Sequence, residues 1–203
     1  MQVMERAATQ QRHDKNRVYS IHKPHTACIA KGKSHKQYEF GHKVGLITTS
    51  KNLLIIAIKA FDGNPHDSKT IEPLLEQMQR NLGHLPEELI YDRGGRGNKD
   101  VFGVTIITPS KPKATDSRYQ RQKARTKFRQ RAAIESVIGH LKTDHRMGQN
   151  YLPGPDSAQI NAYLAAAGWN FKKLMEKLQQ GFSFSHFSIR NFFSIRFRRC
   201  LVH

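Results

Sequence analysis

The chain has 203 residues, with 34 Lys and Arg against 16 Asp and Glu, for a formal net charge of +18. Such an excess repels itself in a compact monomer unless polyanions screen it, so nucleic acid is the first partner to consider. No run approaches the roughly 18 apolar residues of a membrane span, and the opening MQVMERAATQQRHDKNR lacks the apolar core of a secretory signal, which argues against a membrane or secreted protein.

In chain order, residues 1–18 are polar, with Arg6, Arg12, Lys15 and Arg17 and no apolar period, and read as a linker or frayed end. Tyr38–Thr49 approximates a half-buried strand, Ser50-Lys51-Asn52 supplies turn chemistry, and Leu53–Phe61 is an almost unbroken apolar run. The two strands together predict an antiparallel hairpin. The break Asp62-Gly63-Asn64-Pro65 precedes a helix starting near Ser68–Thr70, with Asp67 expected as its cap and Pro73 tolerated in the first turn. Its apolar stripe is Ile71, Leu74, Leu75 and Met78, and Gly83 closes it.

Glu88–Tyr91 and Val104–Thr108 are short strands, so the order is strand, strand, helix, strand, strand. From Lys111 to Arg146 there are 11 Lys and Arg against 3 Asp and Glu, a local balance of +8. Ser117–Arg131 reads as a loop or an exposed basic helix start leading into a helix through Lys142. A further helix covers Ser157–Leu178, with Ile160, Leu164, Phe171, Leu174, Met175 and Leu178 as its apolar positions. Residues 179–203 are rich in Phe and Arg without a clean period, consistent with a core cap, an unfolded tail or an amphipathic anchor.

Two cysteines, Cys28 and Cys200, support neither a disulfide framework nor a four-cysteine zinc site and point to a reducing cytosol. His22, His25 and Cys28 have metal-donor spacing, but no fourth ligand is evident. Asp92 is different. It follows an apolar strand directly and precedes Gly94, Gly95 and Gly97, glycines that let backbone approach a ligand, while Arg93 and Arg96 suit phosphate. A solvated Asp-Gly turn is the plainer reading of this segment. Arg131, Glu135 and Lys142 share one helix face, with Ile134, Val137, Ile138 and Leu141 opposite. The plainer reading there is a surface charge ladder.

Four stretches together carry a more specific signal: residues 19–46, 61–77, 90–99 (IYDRGGRGNK) and 129–154 (RQRAAIESVIGHLKTDHRMGQNYLPG). Across residues 19–178 the sequence resembles the C-terminal half of a DDE transposase from a bacterial insertion sequence, of the group with a ribonuclease H-like catalytic domain. In that family a Tyr-x2-Arg-x3-Glu-x6-Lys signature carries the catalytic Glu. Arg131, Glu135 and Lys142 match it, and Phe128 stands at the tyrosine position. The family's second catalytic Asp falls on Asp92.

The resemblance implies an α/β fold, a ribonuclease H-like mixed sheet flanked by helices, cutting and joining DNA with Mg²⁺ or Mn²⁺ held by Asp92 and Glu135. It implies DNA contacts from Arg93, Arg96, Arg125, Lys127, Arg129, Arg131 and Lys142, transposon ends and target DNA as partners, a homodimer working on two ends, and a cytoplasmic, nucleoid-associated location. The family's first catalytic Asp lies on the first strand of the fold, upstream of Tyr19, and neither Asp14 nor Glu5 sits in strand-like sequence. The expectation is therefore a sheet lacking its first strand, a truncated chain inactive alone, and a complementing N-terminal fragment as a further partner. The rival expectation is a non-enzymatic basic DNA- or RNA-binding protein, whose binding falls steeply with salt and ignores divalent metal; a pseudogene product without a working role is the third.

Overall fold

The computed structural model of the protein describes residues 2–30, 37–92, 97, 99–108, 115–182 and 199–202. Arg93 and Arg96, the first residues of the basic stretch (Lys111 and Lys113) and most of the Phe-rich tail lie outside them.

A mixed sheet organises the chain. Strands β1 (Ala27–Ala30) and β2 (Tyr38–Gly41) form a small antiparallel pair. β3 (Lys43–Thr49) and β4 (Ile55–Phe61) form the expected hairpin. β5 (Glu88–Ile90), β6 (Asp100–Val101), β7 (Val104–Ile107) and β8 (Arg199–Val202) complete a six-stranded sheet of order β4-β3-β8-β5-β7-β6. β5 runs parallel to β7 and β8, while β3 is antiparallel to both of its neighbours.

Adjacent strand residues point to opposite faces, and both faces are covered. On one face Ile47, Ala57, Leu89 and Val104 pack against Ile71, Leu74, Leu75 and Met78 of α2 (Ile71–Leu82). On the other, Leu46, Ile58 and Ile90 pack against α3 (Arg118–Thr143) and α4 (Ser157–Phe182), through Ile134, Val137, Leu141, Ala162, Ala165 and Trp169. Leu46 and Ile47 thus serve different cores, as do Leu89 and Ile90. A single shift in register would exchange them.

The outer edge of β4 is covered by side-chain amides rather than by another strand. Asn170 bonds both backbone groups of Ile55 at 2.9 and 2.8 Å, and Gln159 accepts from Ala60 N–H at 2.8 Å and donates to Ile58 C=O at 3.1 Å. Gln77 accepts from Ile58 N–H at 3.0 Å and Asn81 donates to Ile56 C=O at 2.9 Å. An exposed strand edge invites pairing with other chains, and these four residues satisfy it internally.

Several expectations are corrected. The polar N-terminus contains a helix, α1 (Gln2–Thr9). The strand expected at Tyr38–Thr49 is two, parted at His42 just after Gly41, whose φ of 143° favours glycine. The turn into α2 (residues 67–70) is capped by the His66 side chain, and the Asp67 carboxylate instead pairs with Lys43. On α4 the large apolar positions do not face the core: Ile160, Leu164, Phe171, Met175 and Leu178 are exposed, and the buried face is Ala162, Ala165, Ala166 and Trp169. Small residues let the helix lie close to the sheet, which a search for bulky residues overlooks.

One strand has no counterpart in the sequence reading: β8, from the far end of the chain, lies between β3 and β5, antiparallel to β3 and parallel to β5.

Candidate functional site

β5 brings Asp92 to the open end of the sheet. Leu89 and Ile90 are fully buried, and Tyr91 continues the pairing through its N–H to Ile107 C=O at 2.9 Å. The Tyr91 hydroxyl is anchored between Thr70 Oγ1 at 2.7 Å and Asp67 C=O at 3.0 Å. Burial pushes its pKa up to about 12, opposed by the Thr70 hydrogen bond and reinforced by the Asp67 and Asp92 charges. Tyr91 therefore stays neutral and fixes the strand end, and the chain emerges at Asp92, whose side chain is 43% exposed.

α3 supplies the facing residues. It starts in a capping box, with Gln120 N–H donating to Ser117 Oγ at 3.2 Å and Ser117 N–H donating to Gln120 Oε1 at 2.8 Å. The region expected as a loop or helix start is thus helical from Arg118. Ile134, Val137 and Leu141 are completely buried against the sheet. Their burial sets the rotation of the helix and leaves Arg131 beside the end of β5. Its guanidinium reaches Asp92 Oδ2 at 2.9 Å through one terminal nitrogen and Glu135 Oε1 at 3.4 Å through the other. One turn earlier, Lys127 holds both oxygens of Glu88 at 3.0 and 2.9 Å. Two cations on α3 thus grip the two ends of β5.

The two carboxylates singled out in the sequence are therefore neighbours joined by one guanidinium. Arg131 is 14% exposed and its Nε is buried without a hydrogen-bond partner, so most of its stabilisation comes from the carboxylates at its tip. Glu135 is 63% exposed. Beside Asp92 lies a cavity of about 610 Å³, whose wall includes Val44, Leu46, Asp67, Tyr91, Ile138 and Lys142. Lys142 thus reaches the same space as Asp92. Lys43 closes its far side, donating to Asp67 and to Pro65 C=O at 2.6 Å.

The donors suit a hard divalent cation in kind. Mg²⁺ takes oxygen ligands, keeps several waters and commonly binds through one or two carboxylates plus phosphates. In number they fall short of a closed cage: among the described residues no group of three or more His, Cys, Asp or Glu is placed to hold a metal ion. Asp92 and Glu135 therefore fit a divalent ion whose remaining ligands are water and phosphate, provided the Arg131 guanidinium yields to it. Of the other donor pattern, His25 lies against the His42 ring, tilted at 42° with ring centroids 5.5 Å apart.

Of the residues expected to meet DNA, Arg125 and Arg129 are exposed on α3. Lys142 lines both the Asp92 cavity and a shallow depression of about 470 Å³ shared with Thr143, Arg146 and Gln149. Arg93 and Arg96 fall outside the described residues. Lys127 has a structural task, since its ammonium is engaged by Glu88, with 14% of the side chain exposed. Sequence reasoning missed this pair. Its trace was there: Lys127-x3-Arg131 mirrors Glu88-x3-Asp92 with opposite sign.

The family model for the transposase DDE domain matches residues 8–171, and the chain belongs to that family. Its members are metal-dependent polynucleotidyl transferases acting in DNA transposition. Neither a curated protein nor a solved structure gave a match. Among the described residues no helix is long and apolar enough to cross a membrane.

Proposed function

We propose that this chain is the Asp92–Glu135 portion of a ribonuclease H-like insertion-sequence transposase site, binding Mg²⁺ or Mn²⁺ and the DNA phosphates beside it. The single observation that carries the reading is that Asp92, at a strand end, and Glu135, on the covering helix, share one guanidinium. An exposed charge ladder gives no reason for the strand carboxylate to join it.

When bound, the divalent ions activate an attacking water or 3′-hydroxyl and stabilise the leaving oxygen. Every other duty belongs to the chain. Tyr91 and Thr70 hold the end of β5 so that Asp92 keeps one position. Arg131 neutralises the two carboxylates and would be free to meet a phosphate oxygen if a divalent ion held them instead. Lys142 presents a cation to the same space, and Arg93, Arg96, Arg125 and Arg129 extend the positive field along the DNA backbone. Lys127 stays on Glu88 and positions α3.

Two carboxylates give the ions too few fixed ligands for cleavage, so these 203 residues alone are inactive. A third carboxylate beside Asp92, from a complementing N-terminal fragment, completes the centre. Dimerisation through DNA ends and a cytoplasmic, nucleoid-associated life belong to the same reading. The test is cleavage of element-end DNA with Mg²⁺ or Mn²⁺ by this chain and by a version extended with upstream transposase sequence. The extended chain cleaves and its Glu135→Gln variant does not. Metal-indifferent binding without cleavage by both chains would favour the purely DNA-binding alternative.

A further inference from the structure

α4 carries two apolar faces on opposite sides. Ala162, Ala165, Ala166 and Trp169 lie against the sheet. At about 100° per residue, Ile160, Leu164, Ala167, Phe171, Leu174 and Leu178 all fall within about 40° of the direction opposite Trp169. Their spacing alternates four and three, the seven-residue repeat of a helix that packs along another helix. Ile160, Leu164, Phe171 and Leu178 are 47, 61, 66 and 38% exposed, and Met175 beside them is 56% exposed.

The last two turns show the inversion best. The face that continues the line of Trp169 is charged there, bearing Lys172, Lys173 and Glu176. Lys173 pairs with Glu176 at 2.9 Å and lies 4.9 Å over the Trp169 ring. The apolar side of those turns is the one directed away from the sheet, a pattern that suits a partner outside this fold.

We propose that the outer face of α4 is an interface between two copies of this chain, with the helices antiparallel about a two-fold axis level with Trp169. Side-chain size favours that occupant. Such an axis sets Ile160 against the partner's Leu178, Leu164 against the partner's Leu174, and Ala167 against the partner's Phe171, each contact made twice. The largest side chain of the seam thus meets the smallest. Charge favours the same direction. Lys172, Lys173 and Lys177 all lie toward the C-terminal end, and parallel mates would bring them together. Antiparallel mates set them beside the N-terminal end, where the charged residue is Asp156. The area is sufficient as well. The exposed parts of the five large side chains come to roughly 500 Å² per copy, so a mated pair buries about 1,000 Å², the size a specific interface must clear. This contact rests on α4 alone and needs neither DNA nor metal.

Sedimentation equilibrium on the full chain, nuclease-treated and free of DNA and divalent metal, reads the interface. Wild type should dimerise with concentration, and rising salt should not weaken the dimer, because the contact is apolar and screening relieves repulsion between two copies of charge +18. Leu164→Glu and Phe171→Glu, both at exposed positions, should each weaken dimerisation at least about tenfold with an unchanged circular dichroism spectrum. Tyr119→Glu, the same charge change at an exposed aromatic on α3, should leave it unaltered. A chain monomeric at every concentration gives the face to some other occupant and overturns the interface, as does a dimer that both α4 variants leave intact. If one variant misfolds, the other decides. A dimer that dissolves as salt rises is held by charge or residual nucleic acid, and overturns it too. Direction is read by mixing Ala167→Cys and Phe171→Cys chains under oxidation: the mixed disulfide should exceed either homodimer, and homodimers alone would overturn the antiparallel seam.

Discussion

Arg131 and Asp92, on different elements and far apart in sequence, meet at 2.9 Å, and the same guanidinium touches Glu135 at 3.4 Å. The contact fixes the helix bearing Glu135 over the strand end bearing Asp92. In the absence of metal it is also the charge that makes two neighbouring carboxylates tolerable.

The two carboxylates should differ in structural weight. Asp92→Ala leaves a largely buried guanidinium with only its longer contact to Glu135, and should cost about 1–3 kcal/mol in urea unfolding. Glu135→Gln, at a mostly exposed side chain, should stay within about 0.5 kcal/mol of wild type. A large loss in the Glu135 variant would mean that Glu135 serves the fold rather than a site.

The basic residues of α3 should separate by salt dependence. Arg125→Ala and Arg129→Ala should each lower the slope of log affinity against log salt by about 1 on duplex DNA. Lys127→Ala should leave that slope unchanged and instead lower stability, because it strips Glu88 of a partly buried partner. A lowered slope for Lys127→Ala would return it to the DNA-binding set.

How far the sequence alone carried the fold depended on whether a signal was local. The α2 stripe of Ile71, Leu74, Leu75 and Met78 is buried as its spacing predicts, and Gly83 closes the helix at a φ of 74°. The β3–β4 hairpin was equally legible from its apolar runs and the turn between them. β8 was not: a four-residue strand has no period of its own, and its partners lie more than a hundred residues away. The α4 face misled because Ala162, Ala165 and Ala166 make the close contact while larger residues stay outside. At the site, residue type and spacing singled out Asp92 and Glu135, but which cation joins them depends on how α3 crosses β5, a tertiary fact.

The β4 edge gives a stability prediction. Asn170→Leu keeps the branching at Cγ but removes both bonds to Ile55. It should destabilise by about 1–3 kcal/mol and promote self-association by freeing that edge. Denaturant melts and light scattering on the variant check the two effects separately.

Stability should also carry a pH signature from His42. Burial holds its imidazole below the usual value, with His25 and Lys23 adding to the depression and Asp62 opposing it. A lowered folded value means that the unfolded chain binds the proton first as pH falls. The contribution is therefore complete above about pH 6.5 and is lost on acidification toward the lower folded pKa. His42→Gln should flatten the stability curve in that window. An unchanged slope would place the acid sensitivity elsewhere.

The central claim is that Asp92 and Glu135 together hold a divalent cation, and Mn²⁺ titration followed by loss of the free-ion electron paramagnetic resonance signal tests it most directly. The account expects one weak site in the wild-type chain, at least about tenfold weaker in Asp92→Asn and in Glu135→Gln, and strengthened in Arg131→Gln, where the competing guanidinium is gone. Mn²⁺ binding that is identical in wild type and in both carboxylate variants would contradict it.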